Sequence, residues 1–182
     1  MLKTKNILDE KNKLLRTVSK EVVFPLDEKD LVAITDMIEY LTNSQIEDLA
    51  EKYDLRPGMG MSAIQLGIAK RYMTIVHEVE EGKFDTYVIV NPKITTKSEE
   101  IIYVEDGEGC LSVNRPTYGI VPRHARVTIE GFDKEGKPIK LRGREDLAIC
   151  FQHEIDHLNG ILFTDHIDKK NPYKDADKYR AL

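Results

Sequence analysis

The sequence predicts an α+β fold, with helices at either end of the chain flanking a middle of short antiparallel strands and hairpins. Three observations carry it: apolar residues at helical spacing after residue 27, short β-rich runs between turn signals up to about residue 141, and a dense apolar helix pattern after residue 145. Asp27 can cap the first helix, with Leu26 packing on Leu31 as a hydrophobic staple. Leu31, Ile34, Met37, Ile38 and Leu41 form its predicted core face, and Asp30, Thr35, Asp36 and Glu39 face outward. Asn43-Ser44 interrupts the pattern, a short second helix covers about residues 46–53, and Arg56-Pro57-Gly58 ends the helical region.

Strands are predicted at 72–77, 86–90, 101–104, 126–132 and 137–141. Glu80-Glu81-Gly82-Lys83 and Asp133-Lys134-Glu135-Gly136 sit where hairpin loops belong, which favours antiparallel pairing over crossovers. Glu145-Asp146 puts negative charge in the first turn of a helix that runs to Leu158 and stops at Asn159-Gly160. Apolar residues lie on most of its faces, so it is expected to be buried, and its polar groups need partners. Residues 168–182 are polar and expected to form a loosely ordered tail.

A chain of 182 residues has the length of a single catalytic domain, 1–182, with one sizeable core. Its 41% apolar and 32% charged residues exclude disorder as the main state. The net charge of −5 argues against a dedicated nucleic-acid or anionic-membrane binder. Two cysteines, Cys110 and Cys150, are too few for a disulfide scaffold. No signal-peptide pattern and no apolar run of about 18 residues occurs, so the expectation is a cytoplasmic protein with no membrane segment.

His153-Glu154-Ile155-Asp156-His157 is an HExxH sequence on the last predicted helix. Residues four apart share a helix face, so His153 and His157 can bind one cation, with Glu154 beside it as a base. A catalytic site of this kind has three protein ligands, and the third decides the class. Phe163 stands where a metzincin has its third histidine, and no glutamate follows Glu154 to serve a thermolysin-like site. Asp165 or His166 folding back remains open. The preferred third ligand is Cys110, in Glu108-Gly109-Cys110-Leu111-Ser112 after a predicted strand. Cys150, one turn before His153 in an apolar run, reads as packing or as a pocket wall.

Together these residues resemble the peptide deformylase family, whose motifs are GxGxAAxQ, EGCLS and HExDH. Here they read Gly58-Met59-Gly60-Met61-Ser62-Ala63-Ile64-Gln65, Glu108-Gly109-Cys110-Leu111-Ser112 and His153-Glu154-Ile155-Asp156-His157. The second and third match in full; the first departs at Ser62, where alanine is usual. The resemblance runs from about residue 7 to 165, and the segment 40–53 looks like the insertion of the Gram-positive branch.

The resemblance implies antiparallel strands around a buried C-terminal helix carrying the histidines. It implies also release of formate from the N-terminal formyl-methionine of nascent polypeptides, one ferrous ion in the cell, and Gln65 and the Leu111 N–H as donors to the reacting carbonyl. By ligand type alone, Cys110, His153 and His157 suit Fe(2+), zinc, nickel or cobalt. The ion would lower the pKa of a bound water that attacks the formyl carbon, with Glu154 as base and then acid. Met59, Ile149 and Cys150 are candidate walls for the methionine side chain, and the backbone at Gly58, Met59, Gly60 and Gly109 can pair with an extended peptide. Asp156 and Gln152 are candidates to orient the ligands, and Arg123 to pair with Glu108. Transient ribosome association is expected, without sequence-specific nucleic-acid binding. The competing readings are a zinc endopeptidase built on the same helix and a structural metal module closed by a fourth ligand such as His166.

Overall fold

The computed structural model describes residues 2–182. Two helices, α1 (Glu28–Ser44) and α2 (Glu47–Tyr53), precede the strands β1 (Gly60–Ser62), β2 (Tyr72–Glu80), β3 (Lys83–Lys97), β4 (Ile101–Tyr103), β5 (Arg123–His124), β6 (Arg126–Phe132) and β7 (Pro138–Arg144). Helix α3 (Glu145–Leu158) and the short strand β8 (Arg180–Ala181) follow. β1, β2, β3, β6 and β7 lie in that order in a five-stranded antiparallel sheet. A smaller sheet has the order β5-β4-β8, with β4 and β8 parallel.

The large sheet is covered on both faces. Alternate side chains of a strand point opposite ways, and the first five residues of β2 are all buried. Tyr72 and Val76 pack with Met37, Tyr40 and Leu41 of α1. Met73 and Ile75 join Ile89, Val127 and Ile129 against Ala148, Phe151 and Ile155 of α3. The helix that carries the third motif is thus part of the core, and Gly160 at φ +73° ends it in a backbone conformation that glycine adopts without steric cost.

Asp27 caps α1 by accepting from the Asp30 N–H at 2.8 Å, as its sequence predicts. The helix is rotated from the expected face, however. Leu31 is exposed, whereas Asp30 is buried and held by Lys70 Nζ at 2.5 Å and the Tyr72 hydroxyl at 3.3 Å. An inward aspartate with two partners satisfies its charge, and the core stripe becomes 30, 34, 37, 41 and 44 with Tyr40 beside it. α1 ends at Ser44, at the expected Asn43-Ser44 interruption, and α2 follows from Glu47.

The polar segment 168–182 is tied down by main-chain bonds, which leave no apolar pattern to read. The Ile120 N–H donates to the Pro172 carbonyl at 2.9 Å, and β8 pairs with β4. Among the described residues, no helix is long and apolar enough to cross a membrane.

Candidate active site

Three segments far apart in sequence meet above α3. His153 and His157 stand on one face of the helix, with ring centroids 4.9 Å apart. The loop after β4 brings Cys110 Sγ to 3.2 Å from His157 Nε2. One donor atom from each of Cys110, His153 and His157 lies within 4.8 Å of the others, and all three residues are buried. Asp165 and His166 are engaged elsewhere: Asp165 pairs with Arg16 and accepts from the Leu162 N–H, and His166 Nε2 lies 2.7 Å from Asp156.

The Cys110 loop is held from outside by Arg56, whose guanidinium donates to the carbonyls of Cys110, Leu111 and Val113 at 3.0, 3.3 and 3.2 Å. The Cys110 sulfur itself accepts from the Ser112 N–H at 3.4 Å. Gln65 reaches the same point from the turn after β1. Its Oε1 accepts from the Ser62 N–H at 2.8 Å, which leaves Nε2 3.2 Å from Ser112 Oγ and 4.0 Å from Cys110 Sγ.

His153 is oriented by a buried charge network. Its Nδ1–H donates to Glu108 at 2.5 Å, Arg123 grips Glu108 through Nε and Nη2 at 3.0 and 2.7 Å, and Arg123 Nη1 reaches Asp156 at 2.5 Å. Burial opposes ionisation of Glu108, but His153 and Arg123 outweigh it and bring its carboxyl down to about 2. Burial likewise opposes protonation of His153, yet Cys110 and Glu108 overcome it and push the imidazole well above its ordinary range. His157 has no such acceptor: its Nδ1 is buried without a hydrogen-bond partner, and burial pushes its pKa well below the usual value. A neutral imidazole is the form that binds metal.

A thiol and two imidazoles that converge while buried, with one imidazole held by a carboxylate, make a donor set that fits a divalent transition metal. Glu154 stands apart from the three donors. Its carboxylate accepts from Ser62 Oγ at 2.8 Å, and the same hydroxyl lies 2.8 Å from the Glu154 carbonyl. Burial raises its pKa, with His153 and Ser62 pulling the other way. A carboxyl raised in this way takes up a proton more readily than an ordinary one. β1 reaches the helix only because Gly60 has no side chain. A Cβ there would sit 2.7 Å from both Glu154 Oε1 and Cys150 Sγ.

These groups border a cavity of about 550 Å³. Gly58, Met59 and Gly60 line it, as do Gly109, Cys110 and Leu111 and the α3 residues Ile149, Cys150, His153 and Glu154, together with the buried Gln65. Of the three candidate ligands, Cys110 and His153 line it and His157 does not; Gln152, Asp156, Arg123, Asp165 and His166 also lie outside its lining. Cys150 packs in the α3 core cluster as well as lining the cavity, and burial pushes its thiol well above the usual range, so it stays protonated. Arg123 pairs with Glu108 as expected. Gln152 does not orient a ligand: its amide bonds the His124 backbone at 2.9 Å in both directions and ties α3 to β5.

Two contributors have no role in the sequence pattern: Arg56 reads there only as part of a helix stop, and Ser62 only as a departure from alanine, although a hydroxyl at a buried motif position signals a hydrogen bond.

The sequence profile described as polypeptide deformylase matches residues 4–173. Peptide deformylase 2 of Bacillus anthracis is 44% identical over 182 residues, covering 100% of this chain and 99% of its own. A peptide deformylase of Listeria monocytogenes serovar 1/2a is 49% identical over 172 residues, 94% of each chain. Among solved structures, peptide deformylase 1B of Arabidopsis thaliana in complex with an inhibitor superposes with a TM-score of 0.74 at 28% identity, over 90% of this chain and 82% of that one. A peptide deformylase from Legionella pneumophila gives 0.73 at 34% identity, over 90% and 86%.

Proposed function

The chain belongs to the polypeptide deformylase family, in its Gram-positive branch, and is a metal-dependent hydrolase that removes the formyl group from nascent polypeptides; from that premise we propose how its own residues do so. The observation that carries the reading is the convergence of Cys110, His153 and His157, with Cys110, His153 and Glu154 lining one cavity. Cys110 as thiolate, with His153 and His157, would hold one Fe(2+) ion, which would take the place of the proton on the ligating nitrogen of His153. When bound, the ion supplies Lewis acidity to the carbonyl and to water.

Glu154 takes the proton of the attacking water and returns it to the departing amine nitrogen. Ser62 holds its carboxylate while it does so. The Leu111 N–H and Gln65 Nε2 donate to the formyl oxygen as charge collects there. Met59, Ile149 and Cys150 take the methionine side chain, and the backbone at Gly58, Met59, Gly60 and Gly109 pairs with the extended peptide. A Cβ at Gly109 would meet nothing within 4 Å, so its absence keeps that wall of the cavity clear. A formyl carbon carries only hydrogen, so a cramped site rejects larger acyl groups by clash. Residues 1–182 act as one catalytic unit, in the cytoplasm, in transient association with the ribosome.

Protein purified without oxygen is expected to contain iron and to release formate from formyl-Met-Ala. Removing the metal with a chelator is expected to abolish release and lower Tm, since a ligand bound only to the folded state stabilises it. Full activity with zinc alone would overturn the assignment of iron. Casein cleavage without formate release would instead establish an endopeptidase. Ser62→Ala is expected to lower kcat about 10-fold with little change in KM, the worth of a weaker hydrogen bond to a charged group. An unchanged kcat would remove Ser62 from the machinery.

A further inference from the structure

We propose that residues 179–182 form a strap that walls the mouth of the cleft, and that Leu182 reads a side chain following the methionine of the substrate. This rests on the deformylase reading. Leu182 lines the same cavity as Cys110 and Glu154, together with Val104 and Asp146.

The strap is fixed rather than draped. Its strand pairs with β4 through Ile102 and Arg180 and through Tyr103 and Ala181. Beyond it, the Leu182 N–H donates to the Tyr103 carbonyl at 2.9 Å and the Glu105 N–H to the Leu182 carbonyl at 3.1 Å. Arg180 clamps it to two elements, with Nε 2.9 Å from Glu100 and Nη2 3.0 Å from Glu145, the first residue of α3.

Exposure gives the direction of the cleft. Ile149 and Cys150 are 6% and 8% exposed, whereas Leu182 is 39% exposed. The formyl group has to reach the buried donors and the methionine the buried apolar walls, so the chain that follows leaves past the rim. There it meets the apolar pair Leu182 and Val104, with the exposed carboxylate of Asp146, 3.1 Å from His77 Nε2, nearby. This rim favours an apolar side chain and disfavours an acidic one.

The test is formate release from formyl-methionine amide and from formyl-Met peptides in which each of the next two residues is in turn leucine, lysine or aspartate. Leu182→Ser is expected to raise KM for the matching leucine peptide about 5-fold, as for part of a leucine side chain left in water, with kcat unchanged. Formyl-methionine amide should show no change. Leu182→Lys is expected to favour the aspartate peptide over the lysine peptide, a reversal that a merely structural role cannot produce. Arg180→Gln, which keeps Leu182 but loosens the strap, should give a smaller KM effect on the same peptides. Equal KM values for wild type and variants on every peptide, or an equal change on formyl-methionine amide, would overturn the proposal. Absence of formate release from every substrate by the wild type would overturn the deformylase reading instead.

Discussion

Glu154→Gln is expected to keep the metal and lose formate release, by about 10²–10⁴-fold, the usual contribution of a positioned general acid and base. Glutamine has nearly the shape of glutamate and still accepts from Ser62 through its amide oxygen, so the packing against Gly60 survives. It cannot take up a proton. Glu154 is not one of the three converging donors, and the His153–Glu108–Arg123 network that orients the site does not include its carboxylate. Formate release and metal content measured on one anaerobic preparation separate the two roles. Retained turnover would remove Glu154 as the proton carrier, and lost metal would make it a ligand.

Cys110→Ala is expected to lose both metal and activity. Even a residue that only orients a ligand is worth about 10–100-fold in metal affinity, and Cys110 supplies one of three donors. Two buried imidazoles would remain beside a void. Cys150→Ala is the control. Its thiol is kept protonated by burial and points into the α3 core and the cavity wall, so this variant should bind metal at full stoichiometry. Elemental analysis of the two variants, with circular dichroism to verify folding, decides between them. Full metal content in Cys110→Ala would return the third ligand to an open question.

Much of this site is legible in the sequence because its chemistry is written in short motifs. HExxH fixes two imidazoles through helix geometry alone, and the hairpin loops before β3 and β7 are marked by Gly82 and Gly136, both at positive φ. What escaped depends on partners remote in the chain. Asp30 looks like an outward residue until Lys70 and Tyr72 are seen to enclose it. β1, β5 and β8 are two or three residues long, too short for any periodicity to register. Arg56 works through three carbonyls of a loop more than fifty residues away, and backbone acceptors leave no trace in side-chain pattern. Gln152, a candidate to orient the ligands, spends its amide on the backbone of β5.

Placing both histidines on α3 also has a consequence for the order in which the enzyme can be made. All five strands of the large sheet precede α3 in the chain, so during N-to-C synthesis the sheet emerges with Met73, Ile75, Ile89, Val127 and Ile129 facing no helix. Such a transiently open apolar face invites association with other chains. The helix that closes it is the one that brings the histidines, so the growing chain buries this apolar face and brings His153 and His157 to Cys110 in the same event.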